Sequence, residues 1–327
     1  MKNKYRQKGI IMMVIATFMW GFMGVSSRYL NEIQMNSYDI SFVRSSFGFV
    51  LTAIFLYFTN KSAYKVDMKG LIFCAFYGIL NFAIGISAYS FAVSRIPLSV
   101  ATVLMFSNPI WVTIFGYIFF KDKISLKKII VVSTCIFGCM CIIDIFSTSG
   151  ANLDTLGILA AIFNGMTFAM QIVLPRFVEG KIQKDTILLY GFMSSSIFTL
   201  FFTDIPRLVS SVTSSNNPMF YLLHVLVIGI LCTFVSNNLY VKSTHYIGTS
   251  LPSMMVALEP TFASILAFFI FGENMKIIQI IGALIVVGSV FAMELDLRIV
   301  LAKILKPFKH WKSYLKYTTL SKLAVNT

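Results

Sequence analysis

Long, nearly unbroken apolar runs separated by short polar stretches dominate the chain. Ten such runs occur, at about 9–27, 37–59, 70–92, 98–120, 126–146, 155–175, 186–203, 219–240, 250–271 and 277–294, the seventh being the shortest. A helix crossing a hydrocarbon core needs about 20 apolar residues. Only helices and closed barrels can satisfy every backbone polar group there. The runs lack the two-residue alternation of a barrel strand. The pattern therefore predicts an all-α polytopic membrane protein with ten transmembrane helices.

Composition sharpens this. Of 327 residues 57% are hydrophobic and 12% charged, with 32 Phe; mean hydropathy is +0.81. Ordinary soluble domains carry about 25% charged residues. A soluble enzyme, a disordered chain, a coiled coil and a disulfide scaffold are excluded. Lys2, Lys4, Arg6 and Lys8 ahead of the first run resemble a signal peptide. That run is too long for one and no A-x-A site closes it, so it reads as an uncleaved first helix after a basic N-terminal segment, 1–8. The net charge of +14 follows topology rather than nucleic acid. With the N-terminus inside, 22 Lys and Arg fall in inner segments, four in outer loops, and Arg44 within the second helix. Such a bias sets orientation and predicts a multi-pass protein of the plasma (inner) membrane with both termini cytoplasmic.

The chain also matches itself. At an offset of 151, Gly78-Ile79-Leu80 falls on Gly229-Ile230-Leu231, Tyr89 on Tyr240, Ser99 on Ser250, Pro109 on Pro260, Phe120 on Phe271 and Asp122 on Glu273. Between 78 and 142 there are 11 identities in 65 positions. The first helices match at an offset of 148, Gly9 with Gly157 and Arg28 with Arg176. Each half, 9–146 and 155–294, then holds five helices. Five is odd, so the halves enter the membrane from opposite sides, a 5+5 inverted-topology repeat of the kind secondary transporters use.

With Trp20-Gly21, Arg44, Tyr89, Asn108-Pro109 through Lys121-Asp122-Lys123, and its copy Glu259-Pro260 through Gly272-Glu273, the chain resembles the EamA-type branch of the drug/metabolite transporter superfamily over about 9–294. The resemblance implies a 5+5 fold that moves small metabolites such as amino acids, often outward. Lys121-Asp122 replaces the usual Gly-Glu. The first helix lacks the acid with which small four-helix members couple to protons.

Ionisable groups at membrane depth are costly and mark function by default. Glu259 lies near the midplane and Asn108 is its repeat counterpart. Each precedes a proline, which frees an upstream carbonyl; together they are candidates to flank a substrate path. Otherwise the prolines bend helices for packing. Arg44, nearer the outer face, can snorkel, pair with Glu259 or hold an anionic group. Trp20, Trp111, Asn81 and Asn164 complete the candidate substrate-binding set with Tyr89. Helix–helix hydrogen bonding is the alternative role for each amide. Gln171, Asn237 and Asn238 are further buried amides of the same kind. No catalytic constellation, phosphate loop or metal motif appears. The five cysteines lie in apolar runs and read as packing. Neither cofactor nor nucleic acid is expected; the partners are a small-molecule substrate and the bilayer, with a proton as the candidate coupling ion and the oligomeric state open. Lys303, Lys306, Lys309, Lys312 and Lys316, interleaved with apolar residues, make 298–327 a basic amphipathic cytoplasmic tail or a disordered topology anchor. The leading function is an exporter or facilitator working by alternating access. A lipid flippase of the same fold is the rival, ahead of a membrane enzyme or a channel.

Overall fold

The computed structural model describes residues 2–93, 95–96, 98–145, 154–248, 250–272 and 275–294. The tail expected at 298–327 lies outside them. The fold is built of helices, with no strand among the described residues. In chain order the helices are α1 (Lys2–Glu32), α2 (Ser37–Thr59), α3 (Met68–Gly78), α4 (Gly85–Val93), α5 (Leu98–Met105), α6 (Asn108–Phe120), α7 (Leu126–Ile142), α8 (Thr155–Phe177), α9 (Lys184–Leu200), α10 (Ile205–Thr213), α11 (Pro218–Leu226), α12 (Ser236–Ile247), α13 (Ser250–Met255), α14 (Glu259–Phe271) and α15 (Ile277–Glu294).

Polar residues at the ends of the apolar runs start these helices. Asn36 and Asp39 close a capping box at α2, and Asp67, Ser125, Asp154, Asp204 and Asn217 accept from backbone amides at α3, α7, α8, α10 and α11. Each cap satisfies amide donors that have no partner within the helix.

Five helices are long and apolar enough to cross a membrane: Lys4–Glu32, Ser37–Thr59, Met68–Tyr89, Thr155–Phe177 and Pro218–Ile247. A sixth arises if α9 and α10, bent by 92°, count as one. The remaining apolar runs are broken or short. The run at 98–120 divides into α5 and α6, with Pro109 in the first turn of α6. The run at 250–271 divides into α13, a 3-10 turn at Val256–Leu258, and α14, with Pro260 in its first turn. Proline cannot supply the amide that would carry the upstream turn through, so each run breaks just before it. The helix α10, lying across the end of α9, was not expected from the sequence.

Local geometry recurs along the chain. Wide π-turns occupy Ile79–Ile84, between α3 and α4, and Val227–Val235, between α11 and α12. The helices that follow begin at Gly85 and Ser236, and α6 and α14 are both 13 residues long. Both end on a left-handed residue, Lys121 and Gly272. The helices α2 and α9 pack together, with Ser45 Oγ 2.8 Å from Ser195 Oγ and Ser46 Oγ 2.7 Å from Ser196 Oγ. Ser45→Ala should cost about 1 kcal/mol because it leaves Ser195 with one fewer partner, whereas the double Ser45→Ala/Ser195→Ala change should cost less than the two single changes summed. Thermal melts of the detergent-solubilised variants measure both.

Contacts sort the helix ends into two sets. One set joins Asn60 to Gln183 and Asp185, Asp122 to Arg176, Lys184 to Thr244, and Tyr5 to Tyr246. The other joins Asp39 to Arg207, Arg95 to Asp154, and Asp144 to Lys276. The first set lies with the Lys- and Arg-rich connections and is called the basic face below. Large apolar side chains such as Phe58, Phe201, Phe269 and Ile277 are strongly exposed on the sides, as suits contact with lipid.

Candidate functional site

The largest packed cluster joins Met13 and Trp20 of α1 to Phe115 of α6, Tyr240 of α12 and Met254 of α13. Gly21, next to Trp20, has a packing reason. A Cβ there would lie 2.9 Å from Phe262 Cβ and 3.1 Å from the Ala263 backbone nitrogen. Glycine therefore lets α1 approach the backbone of α14 just below Glu259, and Trp20 turns inward as a consequence.

Glu259 opens α14, and Arg44 lies in the N-terminal third of α2. Their charges interact, and both keep some accessible surface despite their depth. They form no ion pair within 4.0 Å: Arg44 Nε donates to Thr233 Oγ1 at 3.2 Å, and the Glu259 carboxylate receives no hydrogen bond from the described residues. Cys232 and Tyr89 also lie within electrostatic reach of Glu259. The structure thus brings Arg44, Glu259 and Tyr89 into one neighbourhood. Tyr89 and Thr102 share a hydroxyl–hydroxyl hydrogen bond at 2.9 Å. Trp111 is partly accessible and donates its Nε1 proton to Ser107 Oγ at 3.2 Å.

The amides divide into two kinds. Asn81 donates to Tyr77 O and Asn164 to Gly85 O, each at 2.7 Å, around the first π-turn and the start of α4. Their carbonyl oxygens have no partner among the described residues. These two amides hold irregular backbone together. Asn108 differs: it is fully buried, and neither its Oδ1 nor its Nδ2 has a partner among the described residues. A buried amide left unpaired costs free energy, so Asn108 is held there by something other than local bonding. Among the described residues no group of three His, Cys, Asp or Glu side chains could hold a metal ion.

Two matched clasps flank this centre, of which only the alignment of residues was legible beforehand. On the basic face Arg176 donates to both Asp122 oxygens, at 2.7 and 2.9 Å, and its guanidinium lies 4.0 Å above the Phe120 ring. Phe120 in turn packs on Phe177 at 4.9 Å. At the other end Arg28 lies 4.2 Å above Phe271, and Phe271 packs on Tyr29 at 5.2 Å. Residues 28 and 29 align with 176 and 177, and Phe271 with Phe120. Each clasp ties the end of a long helix to the end of a proline-started one, and combines cation–π attraction with ring packing.

Arg176 also has an electrostatic signature. Its hydrogen bonds hold the Asp122 carboxyl below the ordinary 3.8, outweighing the opposing effect of burial. A lowered carboxyl stabilises the folded state above its unfolded pKa and loses that contribution as pH falls through the lowered value. Thermal melts from about pH 6 to about pH 3 should show Tm falling at the acid end. Asp122→Asn should lower Tm at about pH 6 and flatten the acid loss.

The EamA-like transporter family model matches residues 7–144 and again 155–295. The chain belongs to this family. Among curated relatives, an uncharacterized transporter of Clostridium kluyveri is 23% identical over 87% of this chain and 92% of its own length. The uncharacterized inner membrane transporter YicL of Salmonella typhimurium is 20% identical over 89% and 97%. The pseudopaline exporter CntI of Pseudomonas aeruginosa is 22% identical over 48% and 54%. A crystal structure of similar fold aligns with a TM-score of 0.70 at 11% identity, covering 88% of this chain and 96% of that one. The EamA-type protein is thus a membrane transporter, part of the drug/metabolite transporter superfamily.

Proposed function

We propose that this EamA-type protein is a secondary transporter that exports small organic metabolites, amino-acid-like zwitterions foremost, by alternating access. Ten passages form two inverted five-helix units, 9–146 and 155–294, in the inner membrane with both termini cytoplasmic. The repeated π-turns, the proline-started helices and the matched clasps support the duplication. The two sets of helix-end contacts support ten passages, and the basic set corresponds to the cytoplasmic side by the positive-inside rule. The relatives YicL and CntI, named for the inner membrane and for export, support the location and the direction.

One observation carries the substrate reading. Arg44 and Glu259, from different units, lie within electrostatic reach of one another without forming an ion pair within 4.0 Å. Opposite charges held apart in a low-dielectric site match a ligand that carries both signs. Arg44 takes the carboxylate, Glu259 the ammonium, and Trp20, Trp111 and Tyr89 the apolar remainder, while Asn108 offers an unspent amide. Counterflow of labelled amino acids in proteoliposomes, with and without a pH gradient, tests this. Exchange of at least one zwitterion is expected, and acceleration by a gradient would assign the coupling proton. Equal counterflow of anionic and cationic analogues lacking one of the two charges would overturn the zwitterion reading.

A further inference from the structure

A shallow, open cleft lies on the basic face between α3, α8, α9 and α12. It is separate from the Arg44–Glu259 neighbourhood. Its floor is made by Tyr77, Gln171 and Tyr240, all more than nine-tenths buried. Its rim carries Arg176, Glu179 and Lys184.

The three rim charges are not equivalent. Arg176 is committed to Asp122 and Phe120. Lys184 has only the neutral Thr244 hydroxyl, at 2.8 Å. Glu179 senses the charge of Lys184 but forms no ion pair with it within 4.0 Å. The mouth therefore presents one cation and one anion, each with capacity to spare.

The floor adds an independent observation. Tyr240 lines the cleft, and its hydroxyl has no hydrogen-bond partner among the described residues. Its repeat counterpart, Tyr89, shares a hydrogen bond with Thr102. The ring of Tyr240 lies 5.9 Å from that of Trp20, so this one side chain separates the cleft from the proposed central path. The asymmetry extends to the rim. At the offset of 148, Glu179 and Lys184 align with the neutral Asn31 and Asn36, so these two charges have no counterpart at the aligned positions.

We propose that this cleft is a second binding site, an antechamber that captures zwitterionic amino acids with aromatic or amphipathic side chains before they reach Arg44 and Glu259. Lys184 holds the carboxylate and Glu179 the ammonium. Tyr240 and Gln171 give polar contacts to the side chain, and Tyr77 gives an aromatic wall. A few polar groups converging on a largely apolar cleft can orient a small ligand. The substrate class rests on the transport reading above; the site itself rests on the cleft.

Equilibrium binding of each of the twenty labelled amino acids to the purified full-length protein in lipid nanodiscs tests the site. At least one aromatic or amphipathic amino acid should bind saturably, and its analogues lacking either the amine or the carboxylate should not. Lys184→Gln and Glu179→Gln should each weaken binding about tenfold, the loss of one charged contact. Lys184→Arg should restore most of it, and Tyr240→Phe should weaken it by a smaller factor. Glu259→Gln should lose counterflow and any binding at Arg44 and Glu259, while the rim-dependent binding remains. Binding that survives both rim changes but is lost in Glu259→Gln overturns the antechamber and leaves the central site standing. Rim-dependent binding in a protein without counterflow does the reverse. Absence of saturable binding by all twenty overturns the antechamber.

Discussion

Glu259→Gln is expected to reduce counterflow about 100-fold, equivalent to roughly 2.7 kcal/mol, while the protein still inserts and remains monodisperse. The side chains are nearly isosteric, so packing of α1 against α14 through Gly21 is retained. What changes is charge. Arg44 keeps a neutral partner, Thr233, but loses the one carboxylate among the described residues within its electrostatic reach. Truncating one member of a buried, interacting charge pair costs about 2 to 5 kcal/mol in comparable settings. Here part of that loss falls on the substrate's ammonium, which no longer meets an anion. Arg44→Gln should act similarly on the carboxylate. An Arg44→Glu/Glu259→Arg exchange should recover folding more fully than either single change. If Glu259→Gln transports at the wild-type rate with the same pH dependence, Glu259 has no part in the substrate path.

A packing change is expected to have an equally large effect. Gly78→Val should prevent recovery of folded protein. A Cβ at position 78 would lie 2.0 Å from the carbonyl oxygen of Gly191 and 2.5 Å from Ser194 Oγ. The first obstacle is backbone, which cannot rotate away, so α3 and α9 must separate. Overpacking a tight site costs about 1 to 3 kcal/mol when side chains can adjust, and more is expected where they cannot. Gly78→Ala should lower Tm markedly, and Gly78→Val should elute as aggregate on size exclusion. A Gly78→Val protein with wild-type Tm would show that α3 and α9 do not approach as described.

The apolar runs made the helices legible because a bilayer imposes a single length rule on every crossing segment. Two helix breaks were legible in Pro109 and Pro260, and the structure locates them just before these residues. The bend between Leu200 and Ile205 was not, because α10 alternates Arg207 and serines with apolar residues and reads as loop. Glu259 and Arg44 stood out as charges in hydrocarbon, but the hydrogen bond from Arg44 to Thr233 depends on a π-turn that no residue pattern announces. Arg28 and Arg176 were visible as aligned residues, yet their stacking on Phe271 and Phe120 needed the helix ends in space. Tyr240 was legible as the partner of Tyr89, whereas its free hydroxyl was not, since hydrogen bonding is set by neighbours far away in sequence.

The inverted duplication is the central claim, and two exposed positions test it directly. Lys65 follows α2 and Ser214 follows α10, at equivalent points of the two units. The five native cysteines are buried, so a membrane-impermeant thiol reagent should report only an introduced one. Ser214→Cys should be labelled in intact cells, and Lys65→Cys only after the inner face is exposed. Labelling of both from the same side would contradict the opposed threading of the two halves.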